Sequence, residues 1–274
     1  SLVPAETLAN AVTWNSSLYE TTNMLGPALA GAIIGVLVPL SGETGPWTYA
    51  GIYWFNALCQ AAEFINFLGI KVEQPPRARE PLTLRSLFAG ARFVYDNKLI
   101  LGIITLDMFA VLLGGAVALL PIFAKDVLNV GAVGYGFLRA APSVGAISMA
   151  LILAHRATMK RAGRNLIWAV AGFGCATIIF GLSRNFWLSL AALYFTGVFD
   201  NVSVVVRNSI VQIATPEDMR GRVNAVNSLF ISTSNQLGEF ESGTTATIGI
   251  ALLGPMAGPM IAAAAGGIGT IIVV

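Results

Sequence analysis

Charge is scarce in this sequence: Asp, Glu, Lys and Arg make up 11% of the 274 residues, and the formal net charge is only +2. So small a basic excess offers no surface for nucleic acid, and no nucleic-acid motif accompanies it. Histidine occurs once, as His155 at a loop edge. With no clustered ligands beside it a metal site has no donors, and nothing in the sequence requires another cofactor. The two cysteines, Cys59 and Cys175, lie in apolar runs, which predicts small buried hydrophobes rather than a disulfide. H-E-x-x-H, G-x-S-x-G and a phosphate-cradling glycine loop with lysine are all missing. The chemistry of a metalloprotease, a serine hydrolase or an ATP-driven pump therefore lacks its residues, and the chain does not read as an enzyme. A charged n-region leading a short apolar core is missing too, so no signal peptide is visible and the sequence reads as starting in mid-protein.

Apolar residues fill the space that charge leaves, at 55%, and glycine is abundant at 29. That composition belongs to an all-α, polytopic transmembrane bundle. Hydropathy and turn signals place a first span over about 13–40, a second ending near Ile70, and others over about 99–123, 132–154, 165–182 and 186–213. A seventh, about 224–253, is rich in Ser, Thr, Asn, Gln and Glu, and an eighth, about 256–274, is apolar. Trp47, Tyr49, Tyr53 and Trp54 cluster as an interfacial aromatic belt does. Between Lys71 and Lys98 the chain holds Pro75, Pro76, Pro81 and six basic residues. Its second part, with Leu84, Leu87, Phe88, Ala91, Val94 and Tyr95 at helical spacing, predicts an interfacial amphipathic helix in a surface loop. The loops 71–98, 155–164 and 214–222 together carry twelve Lys or Arg, while the opposite side carries only Lys125 and Arg184. The basic side is therefore cytoplasmic.

Sliding the chain against itself aligns Pro4, Asn15, Ser16, Thr21, Asn23, Leu25, Gly26 and Gly31 with Pro216, Asn227, Ser228, Thr233, Asn235, Leu237, Gly238 and Gly243, without a gap. Six spans start within that offset, so the two copies cross in the same direction, as parallel repeats of six-helix units do. The expected organisation is 1–70 as the last two helices of a first six-helix half, 71–98 as the cytoplasmic inter-half loop, and 99–274 as the second half. Four helices that should precede the first copy are not in the sequence, so the chain reads as N-terminally truncated. The repeat also accounts for the polar seventh span, which would face a cavity or the other half.

The stretches L-V-P-A-E-T-L-A-N-A-V, L-G-P-A-L-A-G, L-L-P-I-F-A-K-D-V-L at 119–128 and T-P-E-D-M-R-G-R-V at 215–223 carry a resemblance across essentially the whole chain. It is to the major facilitator superfamily, in the bacterial exporter branch of enterobactin exporter and macrolide-efflux-like proteins. The resemblance implies that the eight spans are helices five to twelve of twelve in a bacterial inner membrane protein, monomeric when complete. Its partners would be the lipid bilayer, a small-molecule substrate and protons. Gly26, Pro27 and Gly31 resemble the antiporter motif G-P-x-x-G-G, with Ala30 in place of its first paired glycine. Pro216, Arg220, Gly221 and Arg222 belong to the cytoplasmic loop motif. The segment His155–Arg164 resembles a degenerate gating motif without its acidic residue.

Charges inside spans are costly and face a cavity or one another, which makes Glu20, Glu63, Asp107, Arg139, Asp200, Arg207, Glu239 and Glu241 the candidates. Asp107 and Arg207 lie at similar depth near the cytoplasmic side and are expected to pair, as a gate, a substrate contact or a structural tie. Thr196, Asp200, Ser203 and Arg207 follow i, i+4, i+7, i+11 spacing, a polar stripe suited to a water-filled path. Asp200 and Glu239, near mid-depth, are proton-coupling candidates, with a neutral hydrogen-bonding role as the competing reading. Arg139 and Glu241 match in depth nearer the outer face and form a second candidate pair. Glu20 and Glu63 lie close enough to the cytoplasmic face to snorkel.

These features lead to a proton-coupled exporter of a small amphipathic molecule working by alternating access, with a non-transporting scaffold or sensor as the alternative. Where Gly26 and Gly31 recur as Gly238 and Gly243, Pro27 is replaced by Glu239. The first copy thus supplies a hinge or seal, and the second a proton site. Replacing Pro27 with Ala is expected to change leak or exchange direction in a transport assay more than it changes folding. An inert substitution would return the seam to simple packing.

Overall fold

The computed structural model of the chain describes residues 46–69, 84–154, 162–216 and 219–274, together with Thr22, Gly26 and Ala30. The rest of the first span, with Glu20, Pro27 and Gly31, the loop 70–83, and residues 155–161 of the gating-like segment, with His155, lie outside the described residues. What is described is helical throughout, with no strand among the described residues: α1 Pro46–Leu68, α2 Leu84–Asp96, α3 Lys98–Leu113, α4 Gly131–Ala154, α5 Ala162–Leu182, α6 Phe186–Ala214, α7 Arg220–Leu253 and α8 Ala257–Ile272. Four segments, Lys98–Val127, Gly131–Leu153, Ala162–Leu182 and Phe186–Ala214, are long and apolar enough to cross a membrane. The 34-residue α7 is longer than any of them, yet its polar composition keeps it below that threshold.

Local signals set the ends. Asn97 caps α3 by accepting from the amide of Ile100, and Asn185 caps α6 by accepting from the amides of Trp187 and Leu188; each satisfies amides that a helix start leaves unpaired. The link from α7 to α8 turns at Gly254, where φ is 91°, a value that L side chains rarely adopt. At the start of α7 the carbonyl of Pro216 accepts from the amides of Met219 and Arg220.

The third span is not the continuous helix expected over 99–123. It stops at Leu113, passes through Gly114 and Gly115, and resumes as a 3₁₀ turn at Ala116–Leu119, a short α turn at Leu120–Ile122 and a π turn at Phe123–Val127. The reason is local and tertiary at once: paired glycines weaken the helix, and a Cβ on Gly115 would meet the carbonyl of Gly238 at 2.7 Å and Oγ of Ser242 at 2.8 Å. The irregular segment is nonetheless well buried. Leu119, Leu120 and Phe123 join Phe180, Leu193 and Met260 in the largest core cluster, where Phe123 stacks on Phe180 at 4.4 Å.

Close backbone approach through small residues recurs at the main helix crossings. The crossing of α4 and α6 brings Gly197 against the carbonyl of Pro142 and Gly145 against that of Tyr194, and a Ser148–Tyr194 hydroxyl bond of 2.8 Å ties it. Gly174 meets Gly267 where α5 crosses α8, and Gly249 meets Gly258 where α7 meets α8. The hydroxyl of Thr270, fully buried, donates from α8 to the carbonyl of Ala110 on α3 at 3.1 Å. Lipid tails provide little hydrophobic drive for helix association, so packing of this kind and interhelical hydrogen bonds hold the bundle.

The amphipathic α2 lies on the start of α7, with Gly90 against the carbonyl of Arg222 and Val94 buried beside Ile100, Val211 and Val223. Its Phe88 and Tyr95 are exposed. Helix α1 exposes Tyr53, Trp54, Leu58, Phe64 and Phe67, apolar side chains that belong in lipid or against another helix. Cys59 and Cys175 are exposed and free rather than buried. In a membrane bundle an apolar run need not point inward, since lipid accepts the same side chains that a soluble core would bury.

A Gly197→Val substitution, whose branch would meet the Pro142 backbone, should cost roughly 1–3 kcal/mol of stability by overpacking. Gly102→Ala, where the added atom meets nothing within 4 Å, should be neutral or slightly stabilising. Thermal unfolding of the purified protein in detergent checks both.

Candidate functional site

Asp107, Arg207, Asp200 and Glu239 gather around the broken third span. Asp107 and Arg207 are brought together: Nη1 of Arg207 forms an ion pair with Oδ2 of Asp107, and both side chains are buried. The two residues approach from opposite ends of their helices. Asp107 lies nine residues past the start of α3, and Arg207 seven before the end of α6, so the ~1.5 Å rise per residue sets both at a similar depth. Ser203, one turn from Arg207, donates to Oδ1 of Asp107 at 3.4 Å. Nε of Arg207 is buried without a hydrogen-bond partner among the described residues, so the carboxylate carries most of the compensation for burying the cation.

Asp200 sits where two cavities adjoin. The smaller, about 10 Å³, is lined by Asp107, Ser203 and Asp200 with Phe173 and Phe199, a volume near the minimum for one water molecule. The larger, about 190 Å³, is lined by Thr196 and Asp200 from α6, Asn235 and Glu239 from α7, Pro142 from α4, and the break at Gly114 and Gly115. The two proton-coupling candidates therefore share one cavity, although they lie on helices that the sequence separates by some forty residues. Glu239 is exposed and Asp200 half-buried. A mid-span position suggests a buried Glu239; α7 instead presents that face openly to the cavity.

Part of the polar stripe of α6 borders these two cavities. Thr196 and Asp200 border the larger cavity, Asp200 and Ser203 the smaller, and Arg207 ends the stripe in its ion pair.

The second expected pair does not form. Glu241 accepts instead from the hydroxyls of Thr245, at 2.8 Å, and Ser242, at 3.5 Å, both on its own helix. Arg139, half-buried on α4, makes no ion pair or hydrogen bond among the described residues. Equal depth does not suffice, because α4 packs on α6 through Pro142 and Gly145. Glu63 is exposed on α1.

The glycine twins also diverge. Gly238 is in close contact, since a Cβ there would meet the carbonyls of Val111 and Leu112 at 2.9 and 3.0 Å, whereas one on Gly243 or Gly26 would meet nothing within 4 Å among the described residues. Of the loop motif, Pro216 and Arg222 shape and seat the start of α7, while Arg220 and Gly221 are exposed.

Residue-by-residue reading misses the Gly114–Gly115 break and the cavity walls Phe173 and Phe199. A paired glycine in mid-span is the available signal for the first. For the aromatics there is none, since phenylalanine in a membrane helix fits lipid, core and cavity equally.

A family model described as transmembrane secretion effector matches residues 1–271. The enterobactin exporter EntS of Escherichia coli O1:K1 / APEC is 31% identical over 257 residues, covering 89% of this chain and 59% of that protein. Its counterpart in Shigella boydii serotype 18 is 31% identical over 280 residues, covering 100% of this chain and 61% of that protein. The chain thus spans about three fifths of the length of these curated relatives. No solved structure matches. A family match over nearly every residue, relatives at this identity and an all-helical membrane bundle agree: the chain belongs to the transmembrane secretion effector family of the major facilitator superfamily.

Proposed function

We propose that the protein is a proton-coupled secondary transporter that exports a small amphipathic molecule across the bacterial inner membrane by alternating access. The observation that carries this reading is the cavity bordered by Asp200 and Glu239 beneath the broken third span. Discontinuous helices at mid-membrane leave backbone groups free to line a binding site, and two carboxylates on different helices provide sites where a proton can be held and released. The export direction rests on similarity to the relatives, whose name describes export of enterobactin.

Under this reading Asp107 and Arg207 have a positioning role. Both belong to the half that the repeat assigns to 99–274, so their bond cannot close a cleft between halves. It ties α3 to α6 on one side of the cavity and holds Ser203 and Asp107 beside Asp200. The seam at Gly115 and Gly238 fixes the opposite wall, where α7 brings Glu239 to the cavity.

Two outcomes are expected. In proteoliposomes with an imposed proton gradient, Asp200→Asn and Glu239→Gln should each abolish gradient-driven export while leaving substrate binding measurable; gradient-driven export that survives both changes would remove the coupling assignment. Asp107→Ala or Arg207→Ala alone should cost about 3–5 kcal/mol of stability by stranding a buried charge. The exchanged pair, Asp107→Arg with Arg207→Asp, should recover part of that loss in thermal unfolding. No recovery would count against a direct tie.

A further inference from the structure

Among the described residues, Arg139 and Arg207 lie more than one turn inside membrane-spanning helices, and the structure treats them differently. Arg207 has a buried carboxylate partner in Asp107. Arg139, half-buried and about twelve ångströms along α4 by its eight-residue distance from Gly131, has no ion pair or hydrogen bond among the described residues. A carboxylate in such a place can shed its charge by taking a proton, but a guanidinium remains charged. A cation inside a span is costly, and such residues mark the paths taken by substrates of opposite charge.

The position of Arg139 says where that charge travels. Ala132, Tyr135, Arg139 and Pro142 follow i, i+3, i+7, i+10 spacing and share one face of α4. Pro142 borders the central cavity. Ala132 and Tyr135 border a second, open groove of about 740 Å³ toward the outer end of the helix, where Lys125 and Asn129 also stand. Arg139 thus occupies the stretch of helix between the two spaces, with a second cation at the far one. The carboxylates Asp200 and Glu239 border the central cavity from α6 and α7 rather than from this face.

We propose that Arg139 is a substrate subsite, and that the exported molecule is an amphipathic organic acid whose oxyanion Arg139 receives between the central cavity and the outer groove. This rests on the export reading for its direction of travel, but the binding of an anion at Arg139 is testable apart from transport. A guanidinium suits a carboxylate or similar oxyanion through paired N–H donors. An ammonium retains the charge with a different geometry, so Arg139→Lys should keep part of the preference.

The test is a fluorescence titration of the intact protein in nanodiscs with three probes that share one fluorophore: dansylglycine, its methyl ester, and a trimethylammonium analogue. The unaltered protein should bind dansylglycine at least about tenfold more tightly than the ester. Arg139→Gln should erase that difference while holding the ester affinity within about twofold, which also shows that the variant is folded. If Arg139→Gln binds none of the probes, Arg139→Lys decides: a retained acid preference supports the subsite and a lost one overturns it. Equal affinity for acid and ester in the unaltered protein, tighter binding of the cationic analogue, or an acid preference that survives Arg139→Gln would overturn the proposal. An intact, Arg139-dependent acid preference in a protein that shows no gradient-driven export would uphold the subsite and refute the export reading instead.

Discussion

Backbone contact through glycine is the constraint on which the rest of this structure depends. Helices surrounded by lipid gain little from hiding apolar side chains from one another, so they hold together where backbones come near enough for dispersion and hydrogen bonding. Gly197 on Pro142, Gly174 on Gly267, and Gly115 on Gly238 are such places. The last has the largest consequence. To seat Gly115 on α7, the third span gives up its regular helix, and the space beside that break is the central cavity. Packing and site formation are therefore one event at this crossing.

The charges follow from the cavity rather than creating it. Once α3, α6 and α7 converge, Asp107 and Arg207 find each other across the α3–α6 contact, and Asp200 and Glu239 come to border the same volume. Burial without a partner would be costly for either member of the pair, which gives the contact a fixed register. The end of the bundle at 116–127 is held differently. There the irregular turns 116–127 are covered by Phe180, Leu193 and Met260, so an unusual backbone is stabilised by a dense apolar cluster. A broken helix tolerates membrane depth only when protein or a cavity covers its unpaired groups, and this one has both.

Much is legible from the chain alone. The helices over 131–154, 162–182, 186–214 and 257–272 match the spans read from hydropathy within a few residues, because an apolar run between polar turns leaves a membrane helix few alternatives. The amphipathic spacing around Phe88 and Val94 likewise anticipates α2. The Asp107–Arg207 contact is legible as well, since two lone opposite charges at equal depth have few other partners. By the same depth argument Arg139 and Glu241 should meet, and they do not, because Glu241 is satisfied by Thr245 and Ser242 on its own turn.

Sequence by itself determined the class of this protein: an all-helical membrane chain with its basic residues concentrated in alternate loops, an internal repeat and isolated charges within apolar spans. Those properties depend on composition and on periodicity along one helix, which a linear reading captures. Tertiary structure alone decided which face of each helix meets which neighbour, and so made Gly238 a packing contact and Gly243 an open position, set Asp200 and Glu239 at one cavity, and left Arg139 without a carboxylate among the described residues. The physical reason is that a span's sequence specifies its depth and its faces, but lipid and protein present nearly the same apolar surface to those faces. Rotation about the helix axis is consequently set by close contact with other helices.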